Sequence, residues 1–65
     1  MTQKMEQLHE LTWFDEDKGE AIKVYWWMSP KGYWYRQYVT RTHEGKIKRI
    51  SEREVINLFD EYYNA

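Results

Sequence analysis

The sequence predicts an α+β domain: a small antiparallel β-sheet of three to four strands, with one C-terminal amphipathic helix packed on one face. Three observations predict it. Two runs rich in aromatic and β-branched residues, 21–28 and 33–40, flank a Ser-Pro-Lys-Gly turn. A Ser-x-x-Glu pattern at Ser51 opens a stretch whose apolar residues recur with helical period. The 65 residues allow a single domain and no more.

In chain order, residues 1–9 are expected to be loose or to form a short helical turn, because Met5 and Leu8 give only a thin apolar stripe. Leu11-Thr12-Trp13-Phe14 reads as a strand, followed by an exposed acidic loop, Asp15-Glu16-Asp17-Lys18-Gly19-Glu20. The central hairpin pairs Ala21–Met28 with Tyr33–Thr40. Its turn has Pro30 where a type I turn accepts proline, and Gly32 where a bulge needs a left-handed residue. A second turn, Thr42-His43-Glu44-Gly45, leads into a short strand at Lys46–Ile50.

The last element begins with Ser51 as N-cap, and Glu54 is placed to reach back to its backbone N–H in a capping box. Val55, Ile56, Leu58, Phe59, Tyr62 and Tyr63 then share one arc of a helix over 51–63. Arg53, Asn57, Asp60, Glu61 and Asn64 take the other side.

A chain this short buries only about 60% of its unfolded surface, so stability needs support from elsewhere. Cysteine is absent, which removes disulfides and thiolate metal sites together and suits a reducing compartment. Cytoplasm is the expected location, since no apolar run approaches the ~20 residues of a membrane span. The support visible in the composition is aromatic, with 18% Phe, Trp and Tyr, including four Trp.

Net charge is −1, but the charges are segregated. Residues 1–20 hold two basic and six acidic side chains, residues 21–50 seven basic and one acidic, and residues 51–65 one basic and four acidic. A basic middle lies between acidic ends.

Hairpin register decides which side chains share a sheet face. A three-residue loop at 30–32 sets Met28 opposite Trp34. Ile22, Val24, Trp26, Met28, Trp34, Arg36 and Tyr38 then share the helix side. Lys23, Tyr25, Trp27, Tyr35, Gln37, Val39 and Arg41 form the other face. A four-residue loop sets Trp27 opposite Trp34 and moves Arg36 and Tyr38 to the outer face. One helix cannot cover both faces, so either register leaves aromatics and cations exposed.

Catalytic signals are missing: no Cys nucleophile, G-x-S-x-G, phosphate loop or H-E-x-x-H occurs. His9 and His43 read as solvated surface residues. The Asp15-Glu16-Asp17 run lacks the spaced ligands of a calcium loop. Neither catalysis, metal nor cofactor is expected.

The expected function is binding. Tyr25, Trp27, Tyr35 and Arg36 are the candidate contacts with a protein or nucleoprotein partner, and Lys23 and Arg41 form the electrostatic rim. The alternative is a nucleic-acid-binding accessory domain using the same face, with Lys46, Lys48 and Arg49 on phosphates. Homodimerisation through the sheet is a third outcome. Three strands, a Pro/Gly hairpin and a following helix resemble the order of the sheet-reading DNA-binding domains of phage integrases. A helix–strands–helix reading would resemble the double-stranded RNA-binding domain, but the basic start of that domain's second helix is replaced here by Ser51-Glu52-Arg53-Glu54. In size and composition the chain is similar to small inhibitors encoded by phages and other mobile elements.

Overall fold

The computed structural model of the chain describes residues 8–64. It is a four-stranded antiparallel meander, β1(His9–Asp15), β2(Glu20–Met28), β3(Trp34–Thr40) and β4(Lys48–Ile50), followed by helix α1(Glu52–Asn64). Sheet order is β1-β2-β3-β4, so β1 and β4 are edges. The expected α+β fold is therefore the observed one. The expectation for residues 1–9 falls largely outside the described residues, except that Leu8 precedes β1 and His9 begins it.

Turn chemistry sets each register. The β1–β2 turn closes at Asp15 and Glu20, where Gly19 N–H donates to Asp15 O at 2.8 Å and Asp17 N–H to Asp15 Oδ1 at 3.0 Å. Gly19 has φ 65°, a conformation that side chains with a Cβ rarely adopt. In the next turn Ser29 N–H donates to Tyr33 O at 2.7 Å, and Gly32, at φ 93°, donates to Ser29 O at 2.9 Å. This is the three-residue loop, and Met28 accordingly lies opposite Trp34. The alternative four-residue register is not adopted.

The third connection departs from expectation. Its strand is confined to Lys48–Ile50 instead of 46–50. Val39 bridges Glu44, yet Trp34 pairs with Ile50 and Arg36 with Lys48, so one extra residue is accommodated between the two pairings. Ile47, 58% exposed, lies in this bulge. The Gln37 side-chain amide donates to Gly45 O at 3.0 Å, satisfying a carbonyl beside the interruption. Without the extra residue Arg49, not Ile50, would face Trp34. The bulge thereby turns Ile50 into the core.

The core is small: Val24, Trp26, Ile50 and Val55 are buried, with Leu11, Trp34, Leu58 and Phe59 packed around them. Trp26 is its centre, fully buried, with the Phe59 ring edge-on at 5.5 Å and the Tyr62 ring edge-on at 5.9 Å. Val55, Phe59 and Tyr62 follow the i, i+4, i+7 line that a helix presents to a flat sheet. Ile56 and Tyr63, expected in the apolar arc, lie at its margins and remain 66% and 76% exposed.

The N-cap is half of the expected capping box. Glu54 N–H donates to Ser51 Oγ at 3.3 Å, but the Glu54 carboxylate accepts from Arg36 instead of from Ser51 N–H. A guanidinium held beneath the first helical turn offers a stronger, charge-assisted partner than a solvated backbone amide. The helix is thus pinned to β3 at its start and to Trp26 along its length.

Candidate functional site

Because side chains alternate along a strand, the register defines a second face, with no helix over it among the described residues. On it stand Glu10, Thr12 and Phe14 from β1, Lys23, Tyr25 and Trp27 from β2, Tyr35, Gln37 and Val39 from β3, and Arg49 from β4. Trp27 and Tyr35 are cross-strand partners with rings stacked at 6.2 Å and an interplanar angle of 29°. Such a pair stiffens the centre of the face and holds two flat apolar surfaces in fixed orientation.

Charge surrounds this centre. Lys23 Nζ lies 3.5 Å from Glu10 Oε2, both half-exposed, and Thr12 donates to the same carboxylate oxygen at 3.3 Å. Arg49 places its guanidinium 3.8 Å from the centre of the Tyr33 ring, a cation–π contact at the hairpin end. At the opposite end Phe14, Ala21, Lys23, Tyr25, Val39 and Arg41 line an open depression of about 460 Å³.

The structure brings together Lys23, Tyr25, Trp27, Tyr35 and Arg41 from the candidate partner-binding set. Arg36 does not join them. An even-numbered residue of β3, it lies opposite Trp26 on the helix side, is 17% exposed, and is engaged by Glu54 while passing 4.8 Å from the Tyr38 ring centre. The candidate phosphate trio also divides. Arg49 belongs to the open face opposite Tyr35, Lys48 is opposite Arg36 on the helix side, and Lys46 sits in the bulged connection.

Glu10, Thr12, Phe14 and Tyr33 on the open face escaped the sequence reading. Phe14, 60% exposed, pairs with Ala21 and extends the apolar floor to the edge strand. Tyr33 enters through its contact with Arg49. The length of the β1–β2 turn was the signal for Phe14, because a loop closed at Asp15 and Glu20 fixes the Phe14–Ala21 pair. Tyr33 shares the face of Tyr35 by alternation, and only its contact with Arg49 depends on the β4 bulge.

His9, read as a solvated residue, is instead packed on the helix side. Its ring stacks on Trp26 at 5.5 Å and meets Phe59 edge-on at 4.7 Å. Burial lowers its pKa below the ordinary 6.5. Above that value both folded and unfolded chains hold a neutral imidazole and nothing is lost. As pH falls from there towards the lowered folded value, the unfolded chain takes up the proton first and stability declines. Urea midpoints between pH 7 and about pH 5 should therefore fall in the native protein and fall less in His9→Phe, which keeps the ring packing without the charge. Equal declines would assign the pH dependence to other groups.

Among the described residues no group of three or more His, Asp or Glu is placed to hold a metal, and no helix is long and apolar enough to cross a membrane. No protein-family model, curated protein or solved structure matches the chain. The geometry of the open face therefore carries the functional reading alone.

Proposed function

We propose that this domain is a non-enzymatic binding protein. It docks its open sheet face on a protein or nucleoprotein partner and modulates that partner by occluding a functional surface. One observation supports this most: the stacked Trp27–Tyr35 pair, continued by Tyr25, Val39 and Phe14, lies on a face for which the described residues supply no second layer. Trp and Tyr are the residue types most often found at interface hot spots, where a dry aromatic centre is ringed by polar groups. Lys23, Arg41 and Arg49 make that rim cationic, which suits a partner whose apolar patch is bordered by carboxylates. A chain without cysteine suits a reducing interior, and the cytoplasm is the proposed site of action. The mode of action is that of small inhibitors of phage or mobile-element type.

A second reading uses the same face as a nucleic-acid platform, with bases stacked on Trp27 and Tyr35 and phosphates on Arg49. The stacked pair favours it. The division of Lys46, Lys48 and Arg49 between surfaces argues against it, as does the acidic turn at 15–17.

Titration with single- and double-stranded DNA and RNA, followed by tryptophan fluorescence at low and physiological salt, separates the two. We expect no saturating response even at low salt. Quenching that saturates and disappears as salt releases the counterion term would replace protein docking with nucleic-acid binding.

A further inference from the structure

We propose that the helix side of the sheet carries a second binding site, a corner between Trp13 and Tyr38 that takes an alkylated ammonium group such as trimethylammonium. The site lies on the opposite face from the docking surface and does not rest on that function.

Helix α1 leaves part of its own face uncovered. It starts over β3, where Glu54 meets Arg36, and runs to β1, where Tyr62 lies 6.2 Å from the His9 ring. Leu11, Trp13 and Asp15 follow His9 on this face by alternation. Tyr38 shares it, because Tyr38 and Leu11 both pair with Val24. The end of the face beyond the helix is bare: Trp13 is 42% and Tyr38 41% exposed. Their rings meet edge to face, with centroids 6.3 Å apart and planes at 86°. These two walls at right angles bound an open depression of about 610 Å³, which Leu11, Thr12, Glu61 and Asn64 complete.

Charge selects the ligand. The faces of aromatic rings attract cations, and Trp does so most strongly. Among the described residues that line the depression, Glu61 is the one charged side chain, and it is acidic. The last turn of α1 holds no basic residue, so the free carbonyls at the negative end of the helix dipole add to the same field. Asp15 and its cross-strand partner Glu20 stand two residues beyond the Trp13–Ile22 pair on this face. Arg36 passes 4.8 Å from the Tyr38 ring centre, but it does not line the depression and Glu54 meets its charge.

Hydration decides between kinds of ammonium. A primary ammonium has three N–H donors to satisfy, and a depression with one carboxylate between two rings replaces their water poorly. A trimethylammonium group has no N–H, and its methyl groups pack on both rings and on Leu11. The group is carried by small molecules such as choline and by methylated lysine side chains, and the same chemistry recognises both.

Indole N–H signals in heteronuclear NMR spectra test the site, with the Trp13 signal assigned from Trp13→Phe. The native chain is titrated at constant ionic strength with tetramethylammonium chloride, choline chloride and a short peptide bearing trimethyllysine. The uncharged control is the alcohol in which carbon replaces the choline nitrogen. The Trp13 signal should shift and saturate in the millimolar range with the cations, and the control should bind at least about threefold more weakly than choline. Glu61 is exposed on the helix, so Glu61→Lys should remain folded by circular dichroism and lose the saturating shift. Trp27→Ala, on the other face, should retain it.

A peptide that binds tighter than choline assigns the ammonium to a methylated lysine, and one that binds no tighter assigns it to a small molecule. The proposal is overturned if none of the three cations gives a saturating Trp13 shift. An uncharged control that binds as well as choline overturns it too, as does unchanged binding in Glu61→Lys. Loss of docking in Trp27→Ala with the Trp13 response intact would show the two sites to be separate.

Discussion

Trp26→Ala is expected to leave the domain largely unfolded at room temperature. Trp26 is fully buried, with an accessibility of 0%, and His9, Phe59 and Tyr62 lie against its ring. Truncating a buried Trp to Ala costs about 3–5 kcal/mol, from lost transfer energy and the cavity left behind. A domain of this length has about 3–10 kcal/mol in all. Collapse around the gap is hindered because the ring is the hub between β1, β2 and α1. Urea denaturation followed by far-UV circular dichroism should show little or no folded baseline for Trp26→Ala. Trp26→Phe should remain folded with a loss of about 1–2 kcal/mol. It keeps an aromatic ring and removes an indole N–H that is buried without an acceptor among the described residues. A cost under about 1 kcal/mol for Trp26→Ala would mean that the core lies elsewhere.

That centre was legible in the sequence for a simple reason. Strand alternation is local, so Val24 and Trp26 fall on one side in either register, whereas Ser29-Pro30-Lys31-Gly32 left Met28 or Trp27 opposite Trp34 and the structure adopts the former. The helix was equally local, its start marked by Ser51 and its stripe by Val55, Phe59 and Tyr62. What was not legible depended on contacts between distant elements. Glu54 left its capping role because Arg36, 18 residues earlier, comes to lie under it. Arg36 itself was lost from the open face by register alone: the three-residue loop sets it opposite Trp26 on the helix side, while its neighbours Tyr35 and Gln37 face the other way. His9 looked solvated because nothing local packs it; its partners come from β2 and α1. The β4 bulge was invisible for a related reason. Its effect is to place Ile50 against Trp34, a result that only the paired strand reveals.

Trp27→Ala, one residue along the same strand, should do the opposite of Trp26→Ala: keep the fold and lose the docking function. Trp27 faces away from the helix and has Tyr35 as its stacked neighbour, not the core. Its removal should cost about 1 kcal/mol of stability, the scale of one cross-strand aromatic pair. At a docked interface the same side chain would be central and dry, where truncation costs about 2 kcal/mol or more, a loss of affinity of about 30-fold. Immobilised native domain and Trp27→Ala should therefore differ by that factor in the amount of partner retained at equal loading. Ile56→Ala, on an exposed flank of the helix, should retain the native amount. Raising salt should weaken docking only modestly, because the aromatic centre is uncharged and the Lys23, Arg41 and Arg49 rim is screened. Tyr35→Ala should cost less in combination with Trp27→Ala than alone, since each ring orients the other. Unfolding of Trp27→Ala would make this face part of the core and remove it as a docking surface. A folded variant that binds as well as the native chain would move the docking site off the sheet.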